Sequence, residues 1–396
     1  MLPAMSYWKR REALSFRLYI PAAVIVLLAC SDTMDAMTSG TEQASDNDLV
    51  QVPQGFEVSI FTEGLSGVRM LKLGPDGRLY AARSSAGEIV RFDLNADGTA
   101  DGNPNVIVSG LSQPYGLAFH DENLYIGETH QIIRLTGPGF TEETVIIPDL
   151  PTGGHWTREI EFGPDNRLYV SIGSSCNICE EADPRRAAVV SYKGDGSLEE
   201  TVGVGLRNSA GLAFHPETGE LWASQNERDN LGDDLVPDYA TSVKDGGFYG
   251  WPYSYIGQHY DPKFVGAFPD LVKRAVVPDV LFPAHSAPLG MTFYTGTEFS
   301  TRYRDGGFVA LHGSWNRTVP SGYRVVFFSM SNGRPGVIED FMTGFLANTG
   351  ENGTQVQQWG RPVGLVVSPD GALLVSDDSG NRIWKISATD ATNNGR

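Results

Sequence analysis

The chain of 396 residues carries 30 Lys+Arg against 48 Asp+Glu, a net charge of −18, which excludes a protein built to hold nucleic acid or another polyanion. With 46 Gly, 23 Pro and 41 % hydrophobic residues it is turn-rich yet has apolar material for a large core, which excludes a disordered or coiled-coil chain. Three cysteines are too few to staple a domain of this size, so burial of apolar surface must hold the fold.

The first element reads as an address. Lys9, Arg10 and Arg11 precede an apolar run from Leu18 to Ala29 that ends in Leu27-Leu28-Ala29-Cys30, the layout of an export signal. The run holds Pro21 and is shorter than the roughly 20 residues that span a bilayer. Residues 1–29 are therefore expected to be a signal peptide, and the tetrapeptide resembles the bacterial lipobox, which implies lipidation at Cys30. The stretch 30–49, rich in Ser, Thr, Asp and Gly, suits a flexible tether. Removing residues 1–29 takes away four basic side chains and one acidic, leaving −21. Any membrane attachment then rests on the lipid anchor alone. The expected location is outside the cytoplasm of a bacterium, periplasmic or attached to the outer membrane as a lipoprotein.

Residues 50–390 carry a repeat. Leu73-Gly74-Pro75-Asp76-Gly77-Arg78-Leu79-Tyr80 recurs as Phe119 to Tyr125, Phe162 to Tyr169, Phe214 to Trp222 and Val367 to Leu374. Each unit is an apolar strand, a Pro-Asp-Gly-type turn and a second apolar strand. The first four units start 46, 43 and 52 residues apart, and the gap of 153 before the last leaves room for one more near Gly290-Met291-Thr292-Phe293-Tyr294. Units of about 40–50 residues built of four strands are propeller blades. The expected fold is all-β, a six-bladed β-propeller, with the N-terminal strand around Phe56 to Phe61 closing the last blade beside Ile383 to Ile386.

Polar residues just ahead of the inner strands of such a propeller face its channel. Gly153-Gly154-His155-Trp156-Thr157-Arg158 places His155 there, readable as a structural histidine or as a general base that titrates near neutral pH. Arg207 and Asn208 hold the same place in the next blade, where the Arg either binds a carboxylate or braces a loop. Asp93-Leu94-Asn95-Ala96-Asp97-Gly98-Thr99-Ala100-Asp101 puts oxygens at calcium-loop spacing, but Pro104 stands where the closing Glu belongs. A calcium loop and a plain turn both remain open. Cys176 and Cys179 lack the second pair of a zinc site and the His of a c-type haem site; in an exported protein they are expected to form a local disulfide.

His155, Arg207-Asn208 before Gly-Leu-Ala-Phe, and Gly246-Gly247-Phe248-Tyr249-Gly250-Trp251-Pro252 resemble the soluble glucose dehydrogenase and sorbosone dehydrogenase family, which depends on pyrroloquinoline quinone (PQQ). Cys176-Asn177-Ile178-Cys179-Glu180-Glu181, His312-Gly313-Ser314-Trp315-Asn316-Arg317 and Trp359-Gly360-Arg361-Pro362 are closer to its sorbosone branch. The resemblance implies a six-bladed propeller holding PQQ and Ca²⁺, with sugar oxidation by hydride transfer and His155 as base. It also implies Arg207 and Asn208 at the quinone edge, with Arg317, Arg361 and Arg83 as further cations for the cofactor carboxylates. Calcium would take the backbone carbonyls of Glu227 and Arg228, although the glucose dehydrogenase pattern has Gly-Pro there. The electron acceptor is not legible. Two other functions stay open: a metal-dependent lactonase on the same fold, and a non-catalytic propeller that binds glycans or proteins.

Overall fold

A computed structural model describes residues 49–197, 199–349 and 355–389. The proposed signal peptide and Cys30 lie outside the described residues.

Six units of four antiparallel strands follow one another around a central channel, the third extended by a short fifth strand, Gly247–Phe248, that runs parallel to Glu200–Val204. Blade 1 starts at Val68–Leu73, blade 2 at Leu117–His120, blade 3 at Ile160–Phe162, blade 4 at Ser209–Phe214, blade 5 at Pro288–Phe293 and blade 6 at Pro362–Val367. The outermost strand of blade 6 is the first strand of the domain, Phe56–Glu63, paired with Arg382–Ala388 so that Val58 faces Ile386. This closure covers the edge that an open ring would leave.

The repeat makes both the hairpins and the joints between blades. Asp76 Oδ1 accepts the Arg78 N–H at 3.1 Å and Gly77 takes φ 75°, a conformation that a glycine adopts without steric cost. Asp165 does the same for Arg167 at 3.1 Å. In blades 1 to 3 the tyrosine that follows the turn packs edge-on against the inner-strand phenylalanine of the next blade, and Trp222 meets Phe293 in the same way from blade 4. Tyr80 meets Phe119 at 4.9 Å, Tyr125 meets Phe162 at 4.8 Å and Tyr169 meets Phe214 at 5.2 Å. One motif thus shapes a hairpin locally and buries aromatic surface between neighbouring sheets.

Across the channel, Met70, Tyr115, Ala210, Leu289 and Val363 pack together with Trp156 against them, one residue from each blade. Tyr115 donates its hydroxyl to the Ala210 carbonyl at 3.0 Å. This plug leaves an upper cavity lined by polar side chains and a lower one lined mainly by the inner strands. Four inner strands carry a bulge where they enter the channel, in blades 1, 4, 5 and 6. An extra residue there re-aims side chains out of the strand's alternation.

The Asp93 to Asp101 segment is occupied by turn-making contacts. Asp93 pairs with Arg78, Asp97 Oδ1 accepts from Thr99 at 2.6 Å, and Lys385 donates to the Asp97 carbonyl at 2.5 Å. Its oxygens serve hydrogen bonds and three side-chain cations, Arg78, Arg91 and Lys385, which favours the plain turn. Among the described residues, no helix is long and apolar enough to cross a membrane.

Candidate functional site

The upper cavity has a volume of about 420 Å³ and gathers residues from all blades but the second. His155 approaches it from the loop ahead of blade 3. Its Nδ1 lies 3.0 Å from both the carbonyl and the hydroxyl oxygen of Ser174, so Nδ1–H is the donor and Nε2 carries the lone pair. Burial, reinforced by the Arg207 charge, pushes the imidazole down to about 4. At neutral pH it is an uncharged base.

Two glycines allow this seat. Gly154 has φ 68°, and a Cβ there would stand 2.5 Å from the Ser174 carbonyl. Gly173 lies between His155 and Asn208, where a Cβ would meet the His155 Cβ at 2.6 Å and Asn208 Oδ1 at 2.5 Å.

Arg207 is buried, and all five of its N–H groups have partners within the protein. Nε donates to the Asn177 carbonyl at 3.1 Å. Nη1 reaches the carbonyls of Asn226 at 3.3 Å and Glu227 at 2.8 Å. Nη2 reaches Asn177 Oδ1 at 3.1 Å and Asp229 Oδ2 at 3.3 Å. Arg207 thus stands as the brace of the blade-4 wall. Asn208 beside it keeps unmet capacity, its buried Oδ1 having no partner among the described residues.

The opposite wall holds a second set. Asp378 accepts from Arg69 at 2.6 Å and from His312 Nε2 at 2.9 Å. Burial holds His312 down to about 4 despite this partner, so a neutral imidazole donates to a carboxylate. Arg361 donates to the carbonyls of His312 at 2.9 Å and Gly313 at 2.5 Å, and lies 5.5 Å from the centre of the Tyr323 ring. Its Nη1 makes no hydrogen bond among the described residues, which leaves donors for a ligand. Trp315 stands 76 % exposed at the mouth.

Blade 4 contributes an oxygen-rich wall of Asn226, Glu227, Asp229 and Asp238. Burial pushes both Glu227 and Asp238 up to about 7. Asp238 accepts the N–H groups of Glu227 and Ala287 at 2.8 and 2.9 Å.

The family profile described as Glucose / Sorbosone dehydrogenase matches residues 130–314, and one described as TrAA12-like matches residues 271–389. An uncharacterised protein of Borreliella burgdorferi is 30 % identical over 85 % of this chain and 90 % of its own length. The chain belongs to the glucose/sorbosone dehydrogenase family. A PQQ-dependent pyranose dehydrogenase of Coprinopsis cinerea is 25 % identical over 85 % of this chain. The chain spans about half of that protein, 54 % of its length. In fold, the family AA12 enzyme of Trichoderma reesei superposes with a TM-score of 0.73 at 21 % identity, covering 86 % of this chain and 98 % of that one.

Against the site expected of this family, the structure redistributes the cations. His155, Arg207, Asn208 and Arg361 line the upper cavity. Arg83 and Arg317 do not: Arg83 pairs with Glu88 at 2.7 Å, and Arg317 pairs with Asp234 at 2.8 Å on the rim. The Glu227 carbonyl is present but already accepts from Arg207, while Arg228 lies outside the lining and pairs with Asp261 at 3.4 Å. Cys176 and Cys179 are joined as a disulfide. Trp251 donates Nε1 to the Asn177 carbonyl at 3.1 Å, so the Gly-Trp-Pro motif acts as a buttress behind the site.

Sequence reasoning missed Arg69, Asp238, His285 and Asp378. Arg69 stands four residues ahead of Leu73, as Arg158 stands ahead of Phe162. Arg158, however, is fully buried on the carbonyls of Pro151, His155 and Thr157. The bulge between Val68 and Leu71 accompanies the difference, and the repeat carries no signal for it.

Proposed function

We propose that the protein oxidises a sugar, or a related polyol or aldehyde, with PQQ and Ca²⁺ held in the upper cavity and His155 as the general base. The observation that carries this reading is the histidine itself, tied down at Nδ1 and free at Nε2 on the wall of a cavity rich in unspent donors. Membership of the family and the PQQ-dependent Coprinopsis relative support it.

The residues fit such a cofactor. Among the described residues Arg361 Nη1 and Arg69 Nε keep N–H donors that no protein group takes, which suits a ligand bearing several carboxylates, while Asn208 keeps an unmet acceptor, Oδ1, for a donor or a cation. The carbonyls and carboxylates of the blade-4 wall are hard oxygen donors of the kind that calcium takes. When bound, PQQ supplies a quinone carbon able to accept a hydride. His155 Nε2 would take the hydroxyl proton of the substrate as hydride leaves the substrate carbon that bears that hydroxyl. Burial and, after it, the Arg207 charge hold the base in its neutral form, and Arg207 keeps the blade-4 wall in place. The direct test adds PQQ and Ca²⁺ to purified apoprotein and follows dye-linked sugar oxidation; no activity in any aldose, polyol or aldehyde would sink the reading.

The same oxygen-rich wall favours one second reading, divalent-metal hydrolysis of a lactone. Lactone hydrolysis by metal-loaded protein lacking PQQ would support that alternative.

Calcium binding should depend on pH with a definite sign. Burial pushes Glu227 and Asp238 up to about 7, so below that pH a cation must displace protons and above it finds carboxylates. The expected result is a larger calcium-induced rise in melting temperature at pH 8 than at pH 6. Equal rises would leave only carbonyls as ligands.

We also propose export as a lipoprotein through Cys30. Cys30→Ser should leave the domain folded and release it from membranes, since the mature chain is acidic and cannot cling to anionic lipid. A variant that still sediments with membrane would refute the lipobox reading.

A further inference from the structure

The Cys176–Cys179 disulfide closes a small loop directly after Ser174, the residue that seats His155. Ser174 Oγ donates to the Cys176 carbonyl at 2.7 Å, which turns its lone pairs towards His155 Nδ1. Asn177, inside the same ring, is the hub of the Arg207 network. Its carbonyl accepts from Arg207 Nε and from Trp251 Nε1, each at 3.1 Å. Its Oδ1 accepts from Arg207 Nη2 at 3.1 Å and from the Asp229 N–H at 2.8 Å, and its Nδ2 donates to the Asp229 carbonyl at 3.0 Å. One short ring therefore touches both the seat of the base and the brace beside it. Both cysteines are only partly buried, within reach of a small thiol.

We propose that the Cys176–Cys179 loop is the positioning element of the upper cavity, and that a dithiol which opens the disulfide uncouples His155 and Arg207 and lowers turnover. This rests on the reading of His155 as the base. Opening breaks the S–S bond, places a hydrogen on each sulfur and oxidises the dithiol to its own disulfide, so two electrons and two protons are exchanged. With the ring open, the Cys176 carbonyl no longer orients Ser174, and Asn177 no longer holds Arg207 in place.

The groups facing His155 decide what would be seen. Arg207 and Arg186 hold its charged form down, Asp229 favours it, and burial is the largest influence. Elsewhere the cavity wall presents Arg69, His312 and Arg361 from blades 1, 5 and 6, and Glu227, Asp238 and His285 from blade 4. Loosening Arg207 and admitting water both raise the imidazole towards its ordinary value.

The test compares wild type, the Cys176→Ser/Cys179→Ser double variant and dithiol-reduced wild type. His155 is titrated by NMR in the protein without cofactor, and kcat and KM are measured after loading with PQQ and Ca²⁺. A ring with a sequence separation of 3 closes little chain entropy, so the variant should still melt cooperatively. The expected result is a titration moved from near 4 towards 6.5, with kcat down by about tenfold or more and KM little changed. An unmoved titration overturns the inference, whether kcat is retained or falls. A shifted titration with unchanged kcat removes the lowered turnover, and the inference with it, if His155→Ala is inactive. If His155→Ala is active as well, the fault lies with the base and the positioning role stands.

Discussion

His155→Ala is expected to lower kcat by at least about 10²-fold, the usual contribution of a positioned general base, while PQQ affinity hardly changes. The imidazole is anchored through Nδ1 on Ser174, so its other nitrogen is the one presented to substrate. Of its sequence neighbours, Trp156 and Thr157 have no basic atom, and Arg158 is buried on backbone carbonyls and stays protonated at neutral pH. Of the other imidazoles of the cavity, His312 commits its Nε2 to Asp378, and His285 has Nε2 at 2.9 Å from the Gly232 carbonyl and Nδ1 at 3.4 Å from Asp229. The pH profile gives a second check. The wild-type base loses its lone pair only as pH falls through about 4, so the acid limb of kcat/KM for the free enzyme should lie near there and below the ordinary histidine range. A loss smaller than about tenfold in a thermally intact, PQQ-saturated variant would place the base elsewhere.

Arg361→Ala and Arg207→Ala should separate cofactor binding from stability. Arg361 spends two hydrogen bonds on the carbonyls of His312 and Gly313 and keeps Nη1 for a ligand. Removing it should weaken PQQ binding by about 2–5 kcal/mol, the cost of leaving a ligand charge unpaired in a partly desolvated site, with a small change in melting temperature. Arg207 has no N–H left to give. Its loss strips partners from three carbonyls, Asn177 Oδ1 and Asp229 in a place where the ion pair is 6 % and 19 % exposed. Truncating one side of such a buried pair typically costs about 3–5 kcal/mol, so the apoprotein should melt markedly lower. Equal melting temperatures for the two variants, with PQQ affinity lost only in Arg207→Ala, would restore Arg207 as a direct cofactor ligand.

The propeller was legible in the sequence because its determinants are local and repeated. The strand–turn–strand unit recurs along the chain, with a tyrosine after the turn and a phenylalanine opposite it in blades 1 to 3, so counting units yields six, and the orphan strand at Phe56–Glu63 has one place to pair. His155, Arg207, Asn208 and Arg361 were legible for a related reason: each stands just ahead of an inner strand, and the channel is where those strands begin. A three-residue separation likewise makes Cys176 and Cys179 near neighbours in any loop.

What each cation does was not legible, because a hydrogen-bond inventory is a property of the assembled wall. Arg207 reads from sequence as a carboxylate binder or a brace, and the contest is decided by Asn177, Asn226, Glu227 and Asp229, brought to it from two blades. Arg69 and Arg158 share a repeat position yet differ in fate, one on Asp378 at the cavity and the other sealed among carbonyls. Arg83 and Arg317 stood beside Arg361 as candidate cofactor cations, but each meets a nearer carboxylate. Short-range order in the chain determined the architecture and the ring of candidate positions. Only tertiary contact, through bulges and long-range pairing, decided which charges are spent within the protein and which remain for a ligand.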